Sequence, residues 1–233
     1  MKRKWSLPCV YILVISGMLL LPYWGSRCVT ALSQEMPYKR DHCIVIDAGH
    51  GGIDGGATSC TGVPESGLNL QIALRINDLF RLLGHDTRMT RTTDRSLHTR
   101  DGSIAQKKIS DLKERVRIVN ETENAVLLSI HQNNFPEERY SGPQVFYSAA
   151  GESAALAEQV QSALVRHLAP TSNRKSKQAT GIYLMEHIQC TGLLIECGFL
   201  SNVREEQLLR SEEYQKQLSA VVAATVCSFL SNT

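Results

Sequence analysis

Two stretches of this chain are too apolar and too rich in β-branched residues to lie anywhere but inside a sheet: residues 42–47 (HCIVID) and 125–130 (AVLLSI). Short continuous apolar runs mark strands covered on both faces, as in parallel sheets packed between helices. Residues 192–196 (GLLIE) read as a third such strand, the last of the chain. The segments between them have a different period. Over residues 68–83, Ile72, Ile76, Leu79, Phe80 and Leu83 recur at three-to-four spacing and Gly84 follows, which is the pattern of an amphipathic helix with a glycine stop.

The same alternation continues along the chain. Residues 86–92 read as a strand, 110–120 as a helix, 144–147 as a strand, 154–168 as a helix, 182–185 as a short strand and 204–230 as one or two helices. Residues 94–108 are polar, lack periodic apolar positions and are expected to form an exposed insertion. The expected fold is therefore α/β: a single three-layer α/β/α domain around a twisted mixed, mostly parallel sheet of the phosphorylase/hydrolase-like kind. In such sheets ligands collect beyond the carboxyl ends of the strands.

The chain has 233 residues, 42% of them apolar, enough for one good core and too few for two catalytic domains. Its formal charge of +2 gives no electrostatic case for a nucleic-acid partner. Lys2, Arg3 and Lys4 precede an uncharged run over residues 5–26, followed by the small residues Val29, Thr30 and Ala31. Residues 1–31 thus read as an export signal or as an uncleaved anchor contacting the membrane, with 32–41 a linker and 42–233 the folded domain. Either reading places the protein outside the cytoplasm. Cys43, Cys60, Cys190, Cys197 and Cys227 remain after the leader, an odd number without a CxxC pair, so no disulfide framework is implied.

Four residues fall where the sheet rule wants a site. His50 follows the first strand in a glycine-rich loop, Glu65 closes that loop at a helix start, His131 follows the central strand, and Glu196 ends the last one. Two imidazoles and a carboxylate suit zinc, which in catalytic sites keeps three protein ligands and an open position for water. A further carboxylate beside such a metal suits proton transfer in hydrolysis. Each residue also has a plainer reading, a hydrogen-bonded histidine or a helix-start glutamate favoured by the dipole. Their joint placement at strand ends favours the site.

Four motifs in order, Ile44-Val-Ile-Asp47-Ala-Gly-His50-Gly-Gly, Glu65-Ser-Gly-Leu-Asn69-Leu70, Ser129-Ile-His131-Gln-Asn133 and Glu196-Cys-Gly-Phe-Leu-Ser-Asn202, resemble those of the zinc N-acetylmuramoyl-L-alanine amidases of the Amidase_3 type. The resemblance runs from about residue 42 to the C-terminus. It implies Zn2+ held by His50, Glu65 and His131, Glu196 as the catalytic carboxylate, and peptidoglycan, a muramoyl-peptide, as substrate. Residues 94–98, 110–115 and 141–147 resemble, more narrowly, the spore-cortex amidases of that family, whose reaction precedes formation of the muramic-δ-lactam. An accessory protein that orders the polar insertion or the metal loop is a further expectation. The competing readings are a glycosidase using Glu65 and Glu196, and a catalytically silent wall-binding module. Gln132 stands where many family members carry a small residue, and is expected to alter the rim of the site. Arg91 is expected to hold its strand end by ion pairing. The basic stretch 173–177 reads as a solvated loop, or as a contact for acidic stem peptides or anionic wall polymer.

Overall fold

The computed structural model describes residues 41–232; the expected leader and nearly all of the expected linker lie outside the described residues. Six strands form one sheet in the order β2-β1-β3-β6-β4-β5: β1 (Cys43–Ala48), β2 (Asp86–Met89), β3 (Ala125–Asn133), β4 (Gln144–Tyr147), β5 (Lys177–Gln178) and β6 (Thr191–Phe199). The β2, β1, β3 and β6 ladder is parallel, β4 pairs antiparallel with β6, and β5 runs parallel to β4. The sheet is thus mixed and mostly parallel, as expected.

Helices cover both faces because the central strands present apolar side chains to both. Ile44, Ile46, Val126, Leu128, Ile130, Leu193 and Ile195 form the larger core with α1 (Glu65–Leu82), α3 (Ser153–Leu168) and α6 (Glu212–Leu230). Val45, Leu127 and Leu194, the alternate residues of the same strands, pack with Val119 of α2 (Ile104–Asn120) and with Leu184 and Met185 of α4 (Tyr183–His187). A last helix, α5 (Val203–Arg210), is separated from α6 by Ser211, whose side chain caps α6 at Tyr214 N. Among the described residues, no helix is long and apolar enough to cross a membrane.

Four elements depart from expectation. Helix α2 begins at Ile104, not at 110, because Ser103 and Gln106 form a reciprocal capping box. Its first turns are polar and leave Ile104 and Ile109 exposed, so no apolar period announces them. Residues 182–185, expected as strand, lead instead into the short helix α4, and the edge strand lies earlier at β5. Strands β3 and β6 each run three residues past their apolar stretch, which places His131 and Glu196 within strands and as register partners. A register irregularity follows between His131 and Asn133.

The α1 face shows how tightly this frame is packed. Ile72, Ile76 and Phe80 have no exposed surface. Truncating Ile72 to Ala is expected to cost about 2–5 kcal/mol through lost burial and an uncollapsed cavity. Urea denaturation checks this, and a cost under about 1 kcal/mol would mean that the helix does not pack as described.

Candidate metal centre

The site is built on the end of β1. Asp47, an acid inside an apolar strand, is almost fully buried and accepts hydrogen bonds from Ser129 Oγ (2.7 Å) and Thr90 Oγ1 (2.8 Å), and pairs with Arg115 of α2. Burial opposes its charge, but the Arg115 guanidinium and then the Ser129 hydroxyl outweigh it and hold the carboxyl down at about 2. Arg115 also donates to Ala48 O (2.9 Å) and His50 O (2.7 Å), and to Asp111 Oδ2 (2.6 Å). Arg91, expected to form an ion pair, instead donates to the carbonyls of Ala48 (2.9 Å), Gly49 (2.9 Å) and Ser66 (2.8 Å). Two buried guanidiniums therefore hold the carbonyls of three successive residues, 48–50.

That grip fixes an uncommon backbone. His50 has φ 59°, a left-handed conformation that a side-chain-bearing residue adopts only when its surroundings enforce it. The turn aims the imidazole at α1. His50 Nδ1 lies 2.9 Å from Asp54 Oδ2, whose other oxygen meets Lys108 Nζ at 2.8 Å, and His50 Nε2 lies 3.3 Å from Glu65 Oε2. His131 Nδ1 approaches Glu65 Oε1 at 3.0 Å, and the two imidazoles stand edge to face with centroids 5.0 Å apart. One ligand atom from each of His50, Glu65 and His131 falls within a 4.8 Å cluster.

Glu65 is the hub. It opens α1, and its carboxylate accepts from Ala57 N (2.9 Å), Asn69 Nδ2 (3.0 Å) and Gln132 N (3.1 Å) besides facing both histidines. Burial would raise its pKa, but the hydrogen bonds from His131 and His50 prevail and hold it far below the usual carboxylate range. Burial likewise pulls His50 down, yet the Glu65 contact, followed by Asp54, raises it to about 9. Glu65 is thus a permanent anion against which cationic charge collects.

Glycine makes the approach feasible. A Cβ on Gly49 would overlap the His131 ring, and one on Gly56, itself at φ 69°, would sit 2.6 Å from Glu65 Oε2. The donor set fits a divalent ion of the zinc type: two imidazoles, one carboxylate, and a carboxylate behind His50 that orients its ring.

Glu196 completes the group from β6, as the register partner of His131. Its Oε2 is sealed from solvent and has no hydrogen-bond partner among the described residues. Burial, opposed by His131 and reinforced by the charge of Glu65, pushes its pKa up to about 7. All four residues singled out in the sequence therefore come together. The roles of Asp54 and Arg115 were not singled out; the legible signs were an acid four residues after His50 in the same glycine-rich loop and an arginine three and four residues before Ile118 and Val119 on α2. Gln132 does not reach the rim. It is buried against α1, where its Nε2 donates to Asn69 Oδ1 at 3.1 Å.

A mostly parallel α/β domain with this cluster at its carboxyl edge has the donor set of a metal-dependent hydrolase. The chain belongs to the N-acetylmuramoyl-L-alanine amidase family, whose model matches residues 44–228. It is 37% identical over 181 residues to the germination-specific N-acetylmuramoyl-L-alanine amidase of Bacillus subtilis, covering 77% of this chain and 76% of that one. Among solved structures it is similar to the CwlD amidase of Clostridioides difficile in complex with the GerS lipoprotein (TM-score 0.79, 35% identity, 82% of this chain and 99% of that one). It is also similar to an N-acetylmuramoyl-L-alanine amidase from Clostridium difficile 630 (TM-score 0.71, 30% identity, 82% and 98%).

Two outcomes follow from the geometry. Gly49→Ala should displace the His131 ring and weaken the affinity of the cluster for a divalent ion of the zinc type by about 10–100-fold, the scale of damage seen when a ligand's support is lost; unchanged affinity in a chelator competition would refute the cradle. The folded Glu196 carboxyl holds its proton to about 7 against an ordinary 4.5, so metal-free protein loses stability as pH rises through that window. Glu196→Gln should therefore melt with wild type at pH 4 and above it at pH 8, and a gap that does not change with pH would contradict the burial of that charge.

Proposed function

We propose that this protein is a zinc-dependent N-acetylmuramoyl-L-alanine amidase that hydrolyses the amide between the lactyl group of muramic acid and the L-alanine of the peptide stem. In this reading His50, Glu65 and His131 hold the zinc and Glu196 is the catalytic carboxylate. The observation that carries it is the Glu196 carboxyl, whose Oε2 is buried without a hydrogen-bond partner, beside a His–Glu–His cluster.

Zinc, when bound, supplies an acidified water and polarises the scissile carbonyl. Glu196 takes the proton from the attacking water and returns it to the alanine nitrogen, which departs only as a protonated amine. Its pKa of about 7 places this exchange near neutrality, and a neighbouring cation moves it lower. Asp54 and Lys108 keep the His50 ring turned toward Glu65, and Arg115 holds the His50 carbonyl so that the loop does not unwind.

A glycosidase using Glu65 and Glu196 would need Glu65 free to protonate or to attack a sugar. Glu65 is saturated with donors and held ionised, so the geometry favours the amidase. The likeness to the germination-specific and CwlD enzymes supports a role in spore cortex, ahead of the muramic-δ-lactam, and action outside the cytoplasm with residues 1–31 as leader or anchor. The CwlD amidase was solved with a lipoprotein, which supports an accessory partner here as well.

Glu196→Gln keeps the three ligands and removes the proton carrier, so zinc content should remain near one per chain while release of stem peptides from muropeptides falls by at least about 100-fold. Elemental analysis alongside mass spectrometry of the digests tests both halves. Turnover surviving in the variant, or stem release by wild type holding no metal, would overturn the assignment.

A further inference from the structure

On the β4 side of the sheet, apart from the cavity lined by His50 and His131, lies a groove of about 990 Å³ that the reaction as described leaves unused. It starts at Gln144, the antiparallel partner of Glu196, so its inner end lies on the strand next to the one that carries the catalytic carboxylate. Because β4 runs against β6, the beginning of β4 lies at the same edge of the sheet as the carboxyl end of β6. The groove opens on that edge.

Its lining is strongly basic. Arg139, Arg174, Lys175, Lys177 and Arg204 contribute to it, and Glu205 is the only acid among the lining residues. Glu205 is committed elsewhere, accepting from Gly142 N (2.6 Å) and Phe199 N (2.8 Å). Lys175, Lys177 and Arg204 are exposed and form no ion pair among the described residues. Arg174, by contrast, is preset: its Nε donates to Ser141 O (2.9 Å), Nη1 donates to Gln144 Oε1 (3.3 Å), and its guanidinium lies 4.7 Å from the Phe199 ring centroid. Tyr140 stacks on Phe199 beneath Arg139 and forms part of the wall. Free cations on a preset floor, reached from the strand beside Glu196, describe a seat for an extended anionic group.

We propose that this groove seats the acidic peptide stem, with Lys175, Lys177 and Arg204 pairing with its free carboxylates, so that stem charge determines which muropeptides are cut. The inference rests on the amidase reading for the identity of the ligand, but binding in the groove requires neither zinc nor turnover. The stem leaves Glu196 on the β4 side, and a stem whose carboxylates are amidated loses these partners. Three solvent-facing pairs of this kind together give about a tenfold preference, reduced by salt.

The test titrates a synthetic stem tetrapeptide with free carboxylates, and its amidated analogue, into the full-length protein and into a Lys175→Ala/Lys177→Ala/Arg204→Ala variant, with muropeptide hydrolysis measured in parallel. Wild type should bind the acidic peptide roughly tenfold tighter than the amidated one, and the variant should bind both like the amidated one. In hydrolysis the variant should show a raised KM for acidic muropeptides with kcat little changed. Equal affinity of wild type for the two peptides overturns the proposal. So does a variant that binds acidic peptide normally but no longer sediments with anionic wall polymer, which would assign the groove to that polymer. Because the three residues are exposed, a matching thermal melt for the variant excludes misfolding. Discrimination between the peptides by a protein that releases no stem would retain the groove and reject the amidase reading.

Discussion

The buried pair of Asp47 and Arg115 is the contact on which the centre depends. Isolated, either charge would be costly in this interior, and each is satisfied only because the other is present with further hydrogen bonds around it. What the pair gains is geometric. Arg115 reaches past Asp47 to the carbonyls that follow it, and with Arg91 it holds the chain at the point where a parallel strand would otherwise run on into a loop. The left-handed turn at His50 is enforced there, and the rest of the constellation is arranged around the imidazole it presents.

Around that anchor the charges form a graded series. Asp47 and Glu65 are both held ionised, one by a guanidinium and the other by imidazoles, while Glu196, half-buried with its Oε2 sealed and given no donor, holds its proton to near neutrality. Three acids of similar intrinsic strength thus acquire different charge states near neutrality through surroundings alone. Gly49 and Gly56 matter to the same end, since side chains at those positions would force the histidines and Glu65 apart.

Much of this was legible in the sequence. The apolar stretches in β1, β3 and β6 mark the sheet, and placement at strand ends and at the start of α1 picks out His50, Glu65, His131 and Glu196. What escaped was set by contacts distant in the chain. The early start of α2 depends on a capping box in a polar stretch, where hydrophobic period is silent. The extension of β3 and β6 through polar residues is decided by ladder pairing. Gln132 was read as a rim residue because it replaces a small residue common in the family, yet alternation along a strand sends it to the face opposite His131. Arg91 was expected to meet an acid, and backbone carbonyls took that place because the glycine loop leaves them without ladder partners.

The hub and its partners come from well-separated parts of the chain: Glu65 and His131 are 66 positions apart and meet only when α1 has docked across the β1–β3 ladder. A half-assembled sheet can offer a metal one histidine and one carboxylate from a single loop, but no more. In the proposed reading, full three-ligand capture of a metal is therefore a late event of folding, withheld until β1 and β3 are in register and α1 has docked across them, so that the ion would report on an assembled domain and not seed it.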